Sequence, residues 1–213
     1  STIAGTISGN KTIGPSGDYA SLTAAFNDIN TNGLAASVNL ILQSDYVSTV
    51  ETFPIVPSTV ASATRTITVY PAATGLSITS NNATATFNFD GSDYIIFDGR
   101  INASGTTADL LIENTNASGA AIQFINEATY NTIKYCKVSG DYYNTSITKG
   151  LIFFTTSASG ALGNSNNTVE YCNVYPRANP LGKTEILCTG SVFGKSFANI
   201  ACPKIGRASC RER

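Results

Sequence analysis

The octapeptide NTIKYCKV, Asn131 to Val138, returns as NTVEYCNV, Asn167 to Val174, 36 residues later and with five of eight positions identical. Ile133 and Val169 replace each other conservatively, Val138 and Val174 close the unit, and the variable pairs Lys134/Glu170 and Lys137/Asn173 suit solvent. A β-type run precedes each copy: AAIQFINEAT from Ala120 before the first, KGLIFFTTSASG from Lys149 before the second. Each repeat therefore reads as two strand types in fixed order. Such repeats stack like on like, burying a continuous apolar column and leaving alternate polar residues in water. Stacking puts Ile133 over Val169, Tyr135 over Tyr171 and Cys136 over Cys172. The fold class expected is all-β: a right-handed parallel β-helix, or solenoid, with one short N-terminal capping α-helix.

Outward from the repeat, short β-type runs recur at 38–43, 66–70, 76–79, 86–89, 94–97, 110–113, 121–125 and 151–154, separated by Gly, Asn, Asp and Ser. An immunoglobulin-like sandwich also has many short strands. It does not need an octapeptide repeated after the same kind of strand, and its Cys…Trp…Cys hallmark cannot form in a chain with no Trp. Ahead of these runs, SLTAAFNDINTNG carries Leu22, Ala25, Phe26 and Ile29 at helical spacing. Ser21 is the expected N-cap and Gly33 the left-handed residue after the last turn, while Ala24 stands where a capping-box Glu would be. One such helix cannot cover both faces of a long parallel sheet, which disfavours a doubly wound α/β fold.

Ser, Thr and Asn make up about a third of the 213 residues and charged residues only 13%, well below the roughly 25% usual in globular domains. Apolar β-formers nevertheless recur, so the chain is expected to fold rather than remain disordered. No apolar run approaches the roughly 20 residues that span a bilayer, so membrane insertion is not expected. The chain contains no Met and opens on STIAGTISGN, without a basic or apolar leader. It is expected to be a mature segment or an interior fragment.

Charge divides the chain. Residues 1–176 hold 6 Lys/Arg against 12 Asp/Glu, and residues 177–213 hold 7 against 2. A basic tail can mark a nucleic-acid partner, but IGRASCRER, Ile205 to Arg213, is what one frame of a common sequencing-adapter string encodes. Residues 205–213 are therefore expected to be adapter read-through, residues 177–204 a divergent or out-of-frame segment, and residues 1–176 the β-helix unit with its cap. No nucleic-acid partner is expected. Unit 1–176 is expected to self-associate through its open last level, where backbone donors and acceptors lie unpaired.

The order GDYASLTAAFNDINTNG, ETFPI, SDYIIFDGR, DLLIENTNASGAAIQF, NNTVEYCNV, within Gly17 to Pro176, resembles the N-terminal region of large secreted bacterial β-helix proteins of pectate-lyase-like architecture. The resemblance rests on pattern, not on a catalytic signature. It implies that the helix, Ser21 to Thr31, caps the open N-terminal end of the solenoid. It also implies a secreted or cell-surface location, and many such proteins carry further binding modules and a C-terminal sorting domain.

With no His, every Ser-His, Cys-His and His-metal arrangement is excluded. Asp90, Asp93 and Asp98, with Arg100, could be read as a calcium or glycosidase site. The preferred reading is two Asp-Gly turns bracketing one strand, with Asp bonding its own backbone and Gly at positive φ. Cys136 and Cys172 are read first as stacked buried residues and second as a disulfide; their spacing does not suit zinc. No GxGxxG or GxxxxGK occurs. The ligand-binding candidates are Asp141, Tyr142 and Tyr143, where adjacent aromatics and a carboxylate suit sugar stacking and hydroxyl hydrogen bonds. The same residues also fit a loop lying over the wall of the fold.

The function expected is thus a non-catalytic secreted or cell-surface scaffold for adhesion or contact with polysaccharide or cell-surface glycan, without a cofactor or metal. The alternative is a polysaccharide lyase or glycoside hydrolase whose catalytic levels are missing.

Overall fold

Leu40, Leu42, Ile67, Val69, Ile95 and Phe97 are fully buried, each separated from the next along its run by a more exposed residue. That period of two is what a strand with one face in the core requires. A computed structural model of the chain describes residues 6–141, 149–155, 163–177 and 186–188.

In chain order the elements are β1 (Ile7–Ile13), α1 (Leu22–Asn32), β2 (Leu34–Leu42), β3 (Ile67–Pro71), β4 (Ser77–Ser80) and β5 (Ala85–Asp90). They continue as β6 (Ile95–Asp98), β7 (Leu111–Asn114), β8 (Ala120–Ile125), β9 (Thr132–Lys134) and β10 (Lys137–Gly140). The last are β11 (Ile152–Phe154), β12 (Thr168–Glu170), β13 (Asn173–Pro176) and β14 (Ile186–Cys188). Among the described residues α1 is the one α-helix, and none is long and apolar enough to cross a membrane.

The protein is all-β in class, built from parallel sheets. The first sheet has six strands in the order β1-β2-β3-β6-β9-β12; the second runs β4-β7-β10-β13 and the third β5-β8-β11-β14. All the strand pairings within them are parallel. An antiparallel sandwich is thereby excluded. From β3 onward the chain visits the three sheets in unchanging order, and from β6 onward each strand pairs with the one three strands earlier.

The octapeptides lie side by side, with Val169 against Ile133 and Val174 against Val138. Neither copy is a single strand. Tyr135, at φ 51°, separates β9 from β10, and Tyr171, at φ 52°, separates β12 from β13. A left-handed residue turns the chain out of the first sheet into the second and changes the inward spacing from two residues to three. Ile133, Cys136 and Val138 are therefore all buried. The repeat accordingly spans three sheets, not two strand types. β1 carried no strand signature because only its two ends, Ile7 and Ile13, are buried.

The interior is an aromatic and aliphatic column. Phe89, Phe124 and Phe154 stack with ring centroids 4.6 and 4.5 Å apart, and Phe97 meets Phe87 edge-on at 4.6 Å. Buried asparagines hold the corners. The Asn131 side chain accepts from the Ile95 amide at 3.0 Å and donates to the Ser92 carbonyl at 2.7 Å. Its own amide donates to Asn167 Oδ1 at 2.9 Å, so the arrangement is copied to the next level. Asn167 Nδ2 then donates to Ala128 O at 2.8 Å. Each such side chain satisfies backbone groups that a corner cannot pair within a sheet.

Helix α1 forms as its sequence predicts. Ser21 Oγ accepts from the Ala24 amide at 3.0 Å, Gly33 at φ 69° donates to Ile29 O at 2.8 Å, and Leu22, Ala25, Phe26 and Ile29 are buried. A further cap, on the first two amides of the helix, comes from outside it. Glu51 Oε1 accepts from Leu22 N at 2.7 Å and Glu51 Oε2 from Thr23 N at 2.8 Å, while Tyr46 donates its hydroxyl to Oε1 at 2.9 Å. A carboxylate at the first turn also opposes the positive end of the helix dipole.

Candidate functional site

The outer side of the first sheet is bordered by four tyrosines in left-handed backbone: Tyr94 (φ 55°) and Tyr130 (φ 57°) where the chain enters, Tyr135 and Tyr171 where it leaves. For a bulky residue this conformation is an outlier costing about 1–2 kcal/mol. Stacking offsets part of it. Tyr94 and Tyr130 lie with ring centroids 4.9 Å apart and planes 1° from parallel; Tyr135 and Tyr171 are 4.8 Å apart at 11°. The Arg100 guanidinium carbon sits 4.4 Å from the centroid of Tyr135, a cation–π contact. Tyr130 and Tyr171 remain about half exposed, at 49% and 52%.

Between the two stacks, Thr132 and Lys134 of β9 and Thr168 and Glu170 of β12 alternate with the buried Ile133 and Val169. Asp98, at the end of β6, is buried and grips Arg100 bidentately, Nε to Oδ1 at 2.8 Å and Nη2 to Oδ2 at 2.6 Å. Lys134 Nζ lies 3.4 Å from Asp98 Oδ2. Burial alone pushes the Asp98 carboxyl up, but the Arg100 hydrogen bonds and the Lys134 charge outweigh it, and the group ends below its ordinary value. The same hydrogen bonds raise Arg100. This cluster is an ion-paired brace, and it holds the guanidinium where it meets Tyr135.

The three aspartates do not converge. Asp90 accepts from Asn126 Nδ2, Asp93 Oδ1 accepts from Thr129 N and Oγ1 at 2.7 Å each, and Asp98 serves Arg100 and Lys134. Among the described residues no three His, Cys, Asp or Glu side chains group as metal ligands. At Gly91 the positive φ of the Asp-Gly turn reading is present, at 66°, while Asp90 accepts from the Asn126 side chain. At Gly99 the reason differs: an added Cβ would fall 2.0 Å from Tyr135 O, so glycine is required by close backbone approach. Asp98 does bond its own backbone, accepting from Arg100 N at 3.2 Å, but its main partners are charged.

Cys136 and Cys172 are both free and buried, on neighbouring levels joined by Asn173 N donating to Cys136 O at 2.8 Å. Their thiols interact, and that contact together with burial pushes the Cys136 thiol up.

Of the ligand candidates, Asp141 follows β10 and accepts from Arg177 Nη1 at 2.8 Å; Arg177 Nε also lies 3.5 Å from Glu113 Oε1. Tyr142 and Tyr143 lie outside the described residues. The bordering tyrosines were legible only in part. Tyr135 and Tyr171 were aligned by the octapeptide, whereas Tyr94 and Tyr130 share the same 36-residue offset without an identical surrounding motif. An aromatic recurring at that offset was the signal available. No family model matches the chain, and no curated protein and no solved structure matches it.

Proposed function

We propose that the chain is part of a right-handed parallel β-helix of the secreted bacterial surface type, with α1 as its N-terminal cap, acting as a non-catalytic scaffold that contacts polysaccharide or cell-surface glycan. One observation carries this reading: three parallel sheets are visited in fixed order with inward apolar positions in register from strand to strand. A flank built this way presents rows of outward side chains at intervals of about 4.8 Å, and a periodic wall is suited to a periodic polymer. Asp141, Tyr142 and Tyr143 belong to the proposed contact surface.

The test is retention of the protein on a panel of insoluble plant, algal and bacterial polysaccharides, with assay of the same samples for new reducing ends or unsaturated products. Retention on at least one polymer without shortening it is expected. Retention on none would overturn the binding role, and chain cleavage would favour a lyase or hydrolase.

A further inference from the structure

We propose that the outer side of the first sheet, between the Tyr94/Tyr130 and Tyr135/Tyr171 stacks, is a binding site for an uncharged oligosaccharide. This inference rests on the polysaccharide-contact reading and gives it a place and a ligand class.

Ring geometry comes first. Parallel rings in van der Waals contact are about 3.5 Å apart in the perpendicular direction, yet the centroids here are 4.8 and 4.9 Å apart. The rings are therefore offset by about 3 Å, overlapping like tilted shingles. Part of the Tyr130 and Tyr171 rings stays uncovered, consistent with their half exposure, whereas Tyr135 lies between Arg100 and Tyr171. An uncovered aromatic face beside hydroxyl groups suits the apolar C–H face of a pyranose and its equatorial hydroxyls.

Spacing comes second. Tyr130 and Tyr135 bracket β9, and five residues of extended chain cover about 16 Å. That span fits a short oligosaccharide laid across the sheet, with a tyrosine at each margin and the Thr132 and Thr168 hydroxyls beneath it.

Charge decides the ligand class. Arg100 and Lys134 are both engaged by Asp98, and Glu170 acts electrostatically on Arg100. Two cations face two carboxylates, so the surface has no net charge with which to attract a polyuronate. An uncharged sugar chain matches it, and binding is expected to vary little with salt.

The test is calorimetric titration of the full chain with cellohexaose, xylohexaose and mannohexaose, and with an oligogalacturonate as the charged counterpart. At least one neutral hexaose is expected to bind. Tyr130→Ala and Tyr171→Ala should each weaken it tenfold or more, Tyr171→Phe less than threefold, and Tyr175→Ala, on the second sheet, not at all. Because an alanine variant can lose its fold, circular dichroism accompanies each titration, and shifts of the Tyr130 and Tyr171 ring protons are followed in the unmodified protein. Neutral-sugar binding that leaves those protons unmoved, or that survives both alanine variants, overturns the site while leaving the scaffold reading intact. Binding of the oligogalacturonate alone overturns the ligand class. Binding of no glycan removes both.

Discussion

The N-terminal levels, from β1 to β3, and the later levels, from β6 to β12, achieve the same parallel pairing by different means. In the former, Ser37 and Thr66 are partners 29 residues apart and no identical motif recurs. There α1 is docked through one buried carboxylate, Glu51. In the later levels the offset is 36 residues and the contacts are like on like: Asn131 on Asn167, Tyr135 beside Tyr171, Cys136 beside Cys172. Parallel stacking therefore needs in-register apolar positions, not identical residues. At the corners identity has a further role, since Asn131 and Asn167 satisfy buried backbone groups in turn.

Several substitutions sharpen that contrast. Glu51→Ala should have the largest effect, because it strips acceptors from Leu22 N, Thr23 N and the Tyr46 hydroxyl at once. A loss of about 3 kcal/mol is expected, from charged hydrogen bonds worth roughly 1.5–3 kcal/mol each and partial access of water afterwards. Urea titration followed by circular dichroism should show α1 lost with, or before, the sheets. If stability is unchanged, the cap does not hold the N-terminal levels.

Asn131→Ala should lower stability by about 2 kcal/mol, since it leaves the Ile95 amide and Ser92 carbonyl unpaired in the interior. Hydrogen exchange at the Ile95 amide gives the local readout. An unaltered rate there would mean that the ladder is not what satisfies the corner.

Asp98 links the two ideas through pH. Its carboxyl sits below its ordinary value in the folded protein, against about 3.9 in an unfolded chain. The brace therefore contributes stability that is fully present above about pH 4 and is lost as pH falls further through the folded value. Asp98→Asn should flatten that acid limb in a melting series from pH 6 to pH 2. An equally steep limb in the variant would assign the acid sensitivity to other carboxylates.

Tyr135→Gly should have the smallest effect, within about 1 kcal/mol of zero. Relief of a left-handed side chain offsets loss of stacking worth roughly 0.5–1.5 kcal/mol and of the Arg100 contact. A large destabilisation by thermal melting would show that the tyrosine stack, not the asparagine ladder, carries the later levels.

The helix and its two caps follow from local chemistry, and so do the alignment of the octapeptides and the inward placement of Ile133, Val138, Val169 and Val174. These depend on side-chain period and short-range hydrogen bonds, which are written in consecutive residues. Lys134 and Lys137, both outward and three apart, already conflicted with a single strand of period two. Only the tertiary structure resolved that conflict by turning the chain at Tyr135, because a left-handed tyrosine has no local propensity and persists through the ring stacked on it from the next level. The pairing of Asp98 with Lys134 and the capping of α1 by Glu51 belong to the same class. Each joins residues distant in sequence, and the chain must first be stacked before those groups come within hydrogen-bond or ion-pair reach.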